Sequence, residues 1–185
     1  GGFGLALAGV YLGWSGRIER NKRDATYDVI PRLVPGAVQE TTEEVEVGGE
    51  VVYKTFNEAG EHVGWVLPAT GQGFGGPIEI LIGLDRPAET ITGVSILSQT
   101  ETPGLGDEIA SDPTAFTDHF AGLKATEDVG LTKTEAKGNQ VPAITGATVS
   151  SKAVTQAVNR AVIEFRNAMY EGEVPGEVDE EDDDG

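Results

Sequence analysis

Four large apolar residues alternate with other residues between positions 78 and 84, and this pattern constrains the fold more than any other in the chain. They are Ile78, Ile80, Ile82 and Leu84. A period of two residues predicts a strand with one buried face. Segments 50–56 and 61–67 flank a short turn that ends in Gly60, which predicts a hairpin. With a further strand predicted over 91–97, the sequence predicts an antiparallel sheet of at least four strands.

Helical patterns lie on both sides of these strands. The first helix is predicted over 17–35, with Pro31 and Pro35 ending it. The last helix is predicted from near Ser150 to about Met169. Its apolar residues recur at helical spacing and form one stripe, typical of a helix that packs on a sheet. They are Ala153, Val154, Ala157, Val158, Ala161, Val162 and Phe165.

A short helix is predicted between the last strand and the last helix. Asp112 supplies an N-cap, and Pro113 follows at the first helical position. Phe116 and Phe120 then fall four residues apart on one face.

Both ends of the chain differ in composition from this central part. Residues 1–16 carry no charge and precede a basic cluster, which predicts the C-terminal part of a transmembrane helix. A buried core helix is the alternative. Residues 171–185 carry nine acidic and no basic residues, which predicts a disordered tail. The predicted fold class is α+β, an antiparallel sheet with packed helices over 17–170, preceded by a single N-terminal transmembrane helix.

Composition excludes several classes of function. A formal charge of −18 argues against binding nucleic acid, since a polyanion is repelled. The chain has no cysteine, which excludes disulfides, thiolate metal sites and iron–sulfur ligation. His62 and His119 have no metal-ligand spacing between them, and each is interpreted as a surface or core residue. No metal site and no catalytic residue is therefore predicted.

Two polar segments suit the binding of a ligand. The segment 145–151 reads Thr-Gly-Ala-Thr-Val-Ser-Ser at the predicted start of the last helix. Its small residues and hydroxyls, with the free amides of a first helical turn, are suited to a phosphate. The alternative is a simple N-cap by Ser150 or Ser151. The segment 100–107 reads Thr-Glu-Thr-Pro-Gly-Leu-Gly-Asp, either a tight Pro-Gly turn or a contact for a planar heterocycle.

In order along the chain, segments 73–80, 98–107 and 144–151 resemble the FMN-binding domain family. They read GFGGPIEI, SQTETPGLGD and ITGATVSS. Within that family the pattern is most similar to the G subunits of Rnf-type ion-translocating electron-transport complexes. The related C subunits of sodium-pumping NADH:quinone oxidoreductases share the domain. The resemblance covers residues 17–170 and a preceding membrane helix.

This resemblance implies a covalently bound FMN. In the family, the last threonine of the Thr-Gly-Ala-Thr motif is esterified to the FMN phosphate by a flavin transferase that uses FAD and magnesium. Thr148 matches that threonine, within a motif completed by Thr145, Gly146 and Ala147. Family members usually have an acidic residue three positions before the motif, where this chain has Pro142.

The resemblance also implies contacts to the isoalloxazine ring, and partners. The implied ring contacts are Glu101, Thr102, Leu105, Gly106 and Phe74. The implied partners are the other subunits of a membrane electron-transport complex, the flavin transferase and the membrane itself. The implied location is the inner membrane, with a single span and the domain on the extracytoplasmic side.

The expected function is that of an electron-carrier subunit of a membrane ion-translocating ferredoxin:NAD oxidoreductase, with no substrate site of its own. One alternative is a flavin-bearing, membrane-anchored sensor or regulatory module without a catalytic role. Another is an anchored structural domain without a cofactor.

Overall fold

The computed structural model describes residues 25–99 and 116–170. Their main element is a five-stranded antiparallel sheet in which neighbours in sequence are neighbours in space. Its strands are β1 Val38–Val47, β2 Glu50–Phe56, β3 His62–Gln72, β4 Pro77–Asp85 and β5 Ile91–Ser98. A second, parallel pair joins β6 Gly130–Thr132 to β7 Gln140–Pro142. The helices are α1 over 25–33, a 3-10 helix Thr117–Phe120, and α2 Thr148–Tyr170. The α+β class with an antiparallel sheet is confirmed.

Strand predictions hold where the apolar pattern is regular. The predicted segment 50–56 is β2, and the prediction for 91–97 is confirmed with one further residue. The hairpin around Gly60, whose φ is +79°, is confirmed. Strand β1 was not predicted because its sequence, VQETTEEVEV, is mostly polar. It lies at the edge of the sheet, where glutamates face solvent and discourage pairing with other chains.

Helix boundaries differ from the predicted ones. Pro31 lies inside α1, so the prediction that it ends the helix is wrong. The amide of Val34 still donates to the carbonyl of Ile30, and the chain leaves the helix at the turn that contains Gly36. Helix α2 begins at Thr148, earlier than near Ser150.

The described part of the short predicted helix is a single 3-10 turn. It spans Thr117–Phe120. Phe116 and Phe120 are buried and their rings meet edge to face at 5.4 Å. The N-cap predicted at Asp112 lies outside the described residues.

The sheet has a hydrophobic cluster on each face. One cluster joins the sheet to α2 and the 3-10 helix, with Trp65 and Phe165 in ring contact at 5.1 Å. The other joins the opposite face to α1 through Ile30, Leu33 and Val34. The domain is therefore three layers deep, with the sheet in the middle.

Helix α1 approaches the sheet over glycines. A methyl group on Gly83 would come within 2.5 Å of the Leu33 carbonyl oxygen, and one on Gly64 within 2.8 Å of a Val34 methyl. The Thr92 hydroxyl also donates to the Leu33 carbonyl. These glycines let the helix backbone lie directly on the strands, which fixes where α1 ends.

Strand β3 has a local open edge although it lies third in the sheet. Its pairing with β2 ends at Tyr53↔Val66, while its pairing with β4 continues to Gln72↔Pro77. Along the described residues, the side of β3 beyond Val66 that faces β2 is therefore left without a neighbouring strand. A proline at position 68 is tolerated there, since its missing N–H is not needed at an edge.

The remaining predictions on the chain ends fall on residues 1–24 and 171–185, outside the described ranges. They stay predictions. Within residues 25–99 and 116–170, no helix is both long and apolar enough to cross a membrane.

Candidate functional site

Helix α2 runs antiparallel to β3 across one face of the sheet. The ring of Trp65 contacts that of Phe165, whereas a methyl on Gly71 would meet the Ala153 carbonyl oxygen at 2.7 Å. The strand rises about 20 Å between its two contact points, and the helix rises about 18 Å between its own. The matched lengths bring the end of β3 to the start of α2.

The turn at 73–76 therefore lies at the same end of the sheet as Thr148. It links β3 to β4 and is closed by a hydrogen bond from the Gly73 amide to the Gly76 carbonyl at 2.9 Å. Thr148 begins α2, about 8 Å beyond Ala153 along the helix axis. Phe74, a predicted ring contact, belongs to this turn and so lies at the same end of the sheet as the predicted attachment residue.

The end of β5 reaches this place too. Ser98 pairs with Glu79, near the beginning of β4 and next to the 73–76 turn. Segment 100–107 follows after one further residue. All three segments that carry the family resemblance thus start from, or lie at, one end of the sheet.

The first turn of α2 has no side-chain N-cap of the usual kind. The first helical bond runs from the Ser151 amide to the Ala147 carbonyl at 2.9 Å, so the N-cap residue is Ala147, whose methyl group accepts no hydrogen bond. The alternative that Ser150 or Ser151 is the N-cap is wrong. Both serines lie inside the helix and are buried.

The turn before the helix exposes the predicted attachment residue. Gly146 has φ +83°, a conformation that glycine adopts without strain. The Ala147 amide donates to the Ile144 carbonyl at 3.0 Å. Ala147 is buried, whereas Thr145, Gly146 and Thr148 are exposed. The Thr148 side chain is thus accessible at the first residue of a long helix.

Electrostatics at this point favour an anion. The start of a helix carries a partial positive charge from amides that have no intrahelical partner. No acidic residue lies in the first turn of α2, although the chain has 31 Asp and Glu against 13 Lys and Arg. A phosphate ester on the Thr148 hydroxyl would meet these amides without a neighbouring carboxylate in that turn.

Two exposed apolar side chains accompany the polar groups. Phe74 is 79% exposed and Val149 is 56% exposed. Single exposed apolar side chains are common on protein surfaces, and Val51 and Ile163 are exposed elsewhere at 45% and 52%. An aromatic ring such as Phe74 suits contact with a planar heterocycle.

Four predicted site residues lie outside the described residues. They are Glu101, Thr102, Leu105 and Gly106. Their roles stay predictions from the family resemblance. Sequence reasoning missed Ser151, whose buried hydroxyl contacts the turn that presents Thr148. The second serine of the pair was the available signal, but it was interpreted as one hydroxyl of a phosphate-binding segment or as a cap.

The two histidines lie away from this site. His62 is half-buried, with its ring on Trp65 and its Nε2 3.0 Å from the Gly64 carbonyl, and His119 is exposed. Among the described residues, no group of three or more His, Asp or Glu side chains is arranged to hold a metal ion.

Two clefts lie elsewhere on the described surface. One, of about 390 Å³, opens where β2 and β3 diverge over α2, between Ala157 and Phe165. Its nearest helical residue is about 13 Å from Thr148 along the axis. The other, of about 260 Å³, lies between the 124–129 loop and the C-terminal half of α2. Neither of these two clefts contains Thr148 or Phe74.

Comparison with known proteins finds a family model described as FMN-binding domain, which matches residues 73–163. The matched range contains the 73–76 turn, Thr148 and most of α2.

Three curated relatives are named as the G subunit of an ion-translocating complex. That of the ion-translocating oxidoreductase complex of Methanosarcina acetivorans is 35% identical over 76% of this chain and 73% of its own length. The G subunit of the sodium-translocating ferredoxin:NAD(+) oxidoreductase complex of Acetobacterium woodii is 37% identical over 58% of this chain. The proton-translocating counterpart of Clostridium ljungdahlii is 34% identical over 63% of it. The chain spans 52% and 61% of these last two relatives.

Solved structures share the fold. The C subunit of the sodium-translocating NADH-quinone reductase of Parabacteroides distasonis has a TM-score of 0.55 and 27% identity, over 72% of this chain and 77% of that one. NqrC of Shewanella oneidensis has a TM-score of 0.57 and 24% identity, over 66% and 60%.

Proposed function

Because this chain belongs to the FMN-binding domain family, we propose that it is the electron-carrier subunit of a membrane ion-translocating ferredoxin:NAD oxidoreductase complex. It carries one FMN, held covalently through a phosphoester to Thr148. Its partners are the other subunits of that complex and the flavin transferase that loads it. The names of its relatives as G subunits support this assignment.

One observation carries the proposal. Thr148 is exposed at the start of a 23-residue helix whose first turn contains no acidic residue and whose N-cap is an alanine. A structural helix start in an acidic chain gains from a capping side chain or a carboxylate. This helix start has neither, and a phosphate supplies both the acceptor oxygens and the negative charge.

The surrounding residues have separable roles in the proposal. Gly146 has no side chain and Ala147 has only a methyl group, so the phosphate can approach the helix amides closely. Thr145 offers a second hydroxyl to the phosphate. Phe74, on the neighbouring turn, packs against the ring system. Beyond the described residues, Glu101, Thr102, Leu105 and Gly106 complete the ring contacts.

Loading is a phosphoryl transfer from FAD. The Thr148 oxygen forms a bond to the phosphorus on the FMN side of the pyrophosphate, and the bond from that phosphorus to the bridging oxygen breaks. AMP leaves with the bridging oxygen, and the hydroxyl proton passes to a base of the transferase, whose magnesium ion neutralises the pyrophosphate. Once bound, FMN supplies one-electron redox chemistry, while the chain holds and orients it.

The tether also retains the cofactor. A cofactor retained by a covalent bond does not need to be enclosed to avoid dissociation.

We propose that residues 1–16 belong to a single membrane span, with the domain on the extracytoplasmic side of the inner membrane.

The test is loading of the chain when it is co-expressed with its flavin transferase. After denaturing electrophoresis, the wild type should give a band that fluoresces under ultraviolet light. Thr148→Ala should remove the fluorescence and Thr148→Ser should keep part of it, because it retains the hydroxyl. Thr126→Ala, which removes an exposed threonine of the 124–129 loop, should load like the wild type.

A wild-type chain that stays colourless beside an active transferase would contradict the proposal and favour a structural domain. A fluorescent Thr148→Ala band would place the flavin on another residue. Co-purification of the loaded chain with membrane redox subunits distinguishes an electron carrier from a sensor, since a sensor would purify without them.

A further inference from the structure

We propose that Ser151 is a positioning residue for flavin attachment, because its hydroxyl holds the 144–147 turn that presents Thr148. This inference rests on the proposed function. It assigns a role to a side chain that neither touches the flavin nor accepts the phosphoryl group.

The Ser151 hydroxyl bridges the helix and the turn. It is 0% exposed. It donates to the Ala147 carbonyl at 2.8 Å and accepts the Ile144 amide at 3.2 Å. The Ala147 amide in turn donates to the Ile144 carbonyl at 3.0 Å. The two ends of the turn are therefore joined to each other and to one hydroxyl.

The second of these bonds distinguishes Ser151 from an ordinary helical hydroxyl. Thr155, one turn later, also donates to the carbonyl four residues before it, that of Ser151, at 2.8 Å. This back-bonding is common for Ser and Thr in helices. Ser151 does the same and also accepts an amide from outside the helix. The Thr155 side chain has no such contact among the described residues.

The Ile144 amide depends on this acceptor. The sheet contact before it is the Ala143 amide, which donates to the Thr132 carbonyl at 2.8 Å. After Ala143 the chain leaves the parallel pair of β6 and β7 and turns into α2. A half-buried amide that loses its acceptor destabilises the conformation that contains it, so without the Ser151 hydroxyl the turn loses its link to the helix.

The consequence for attachment concerns orientation. Thr148 follows directly on this turn, and Gly146 within it is free to take other backbone conformations. A phosphoryl transfer needs its nucleophile within reach of the phosphorus and in line with the leaving group. Loosening the turn should slow the transfer step more than it weakens recognition of the folded domain. We expect a loss of between about tenfold and a hundredfold in the rate at saturating chain concentration, with a smaller change in KM.

The experiment compares Ser151→Ala with Thr155→Val, which removes a buried hydroxyl of the same helix without touching the turn. Initial rates of flavin incorporation are measured against chain concentration, with purified transferase, FAD and magnesium. Ser151→Ala should lower kcat by at least about tenfold. Thr155→Val should load like the wild type even if it lowers the unfolding midpoint. Ser151→Thr keeps the hydroxyl and should recover much of the rate.

A second measurement does not require flavin. Hydrogen exchange of the Ile144 amide, followed by NMR in the unloaded chain, should be faster in Ser151→Ala than in the wild type and unchanged in Thr155→Val. This readout reports the bond itself, so it remains informative if Ser151→Thr folds poorly.

The outcomes separate the two proposals. If the wild type takes no flavin, the proposed function fails. If the wild type loads and Ser151→Ala loads at the same rate, only the role of Ser151 is overturned. The same holds if Thr155→Val slows loading as much as Ser151→Ala does, because the effect would then follow from general loss of helix stability.

Discussion

At Gly146 the backbone, and not the space around it, requires glycine. Its φ is +83°, and a β-carbon built there would meet no atom within 4 Å. The effect of a substitution on the stability of the unloaded chain therefore measures backbone strain. The position also separates Thr145 from Ala147 within the turn that leads into α2, so the same strain would act on the presentation of Thr148.

Gly146→Ala should lower the free energy of unfolding by about 1–2 kcal/mol, because an L-residue is strained in the left-handed region. Gly146→Asn should cost less, since asparagine tolerates that region. Urea unfolding measures both. Gly122→Ala is the matched control, because Gly122 has φ +88° and is equally free of neighbours. Its stability loss should be similar while flavin loading stays normal. Equal loading by Gly146→Ala and Gly122→Ala would contradict a special role for the turn.

The sequence predicts a role for some residues of the candidate site and not for others, and the predicted roles stay predictions. Thr148 was identified from its motif, and the structure places it at an exposed helix start. The antiparallel match of β3 to α2 places Phe74 at the same end of the sheet as Thr148, which the sequence alone does not show. The role of Ser151 in holding the turn was not predicted. It depends on a hydrogen bond from the Ile144 amide, and Ile144 lies outside the helical pattern. Pro142, at the position where family members usually have an acidic residue, lies at the end of β7.

At the scale of elements, β3 is longer than the strand predicted from the sequence. Pro68 and Gly71 both resemble breakers, so the prediction ended at 67, whereas the strand continues to Gln72. Each has a local reason that depends on other elements. Pro68 lies on the open edge beside β2, and Gly71 makes room for the Ala153 carbonyl of α2. Neither reason is visible without the tertiary structure.

The ladder between β3 and β4 predicts opposite responses to proline at adjacent positions. Gly73 bonds to Gly76 at the turn, and the register continues without a shift. Starting from the hydrogen-bonded pair Gly73 and Gly76, every second residue pair between β3 and β4 is therefore hydrogen-bonded. Ala69 directs its N–H to β4, and Thr70 directs its N–H to the open edge.

Ala69→Pro should therefore destabilise the domain by about 3 kcal/mol or more, through loss of a ladder bond and a clash. Thr70→Pro should cost clearly less, because its N–H has no strand to meet among the described residues. Ala69→Ser and Thr70→Ser serve as controls that keep both amides. Chemical denaturation monitored by circular dichroism gives the comparison, and equal losses for the two prolines would show that the edge is closed in solution.

At the scale of the whole molecule, acidic residues outnumber basic ones both in the three-layer domain and in the segment 171–185. The formal charge is −18, and β1 alone exposes four glutamates: Glu40, Glu43, Glu44 and Glu46. An ion pair within the described residues, Lys124 with Glu127 at 3.4 Å, is itself exposed and contributes little. Repulsion between like charges opposes the compact state.

Added salt should therefore stabilise the folded chain. The Debye length falls from about 30 Å at 0.01 M to about 8 Å at 0.15 M, so sodium chloride should raise the urea midpoint over this range. A Glu43→Gln, Glu46→Gln double variant should start from a higher midpoint and respond less to salt. Lithium chloride at the same ionic strength should act like sodium chloride. A midpoint that does not change with ionic strength would contradict this account.

The end of the sheet where Thr148 lies is built from parts that are distant along the chain. The 73–76 turn is made early in synthesis, whereas α2 is the last described element to leave the ribosome. The two meet only when the helix has packed against β3, through contacts such as Trp65 with Phe165. Such non-local contacts close a long loop of the chain, which slows their formation. Any modification of Thr148 that depends on the neighbouring turn is therefore post-translational, because both parts come together only in the folded domain. An enzyme that recognises this surface would modify only chains that have finished folding.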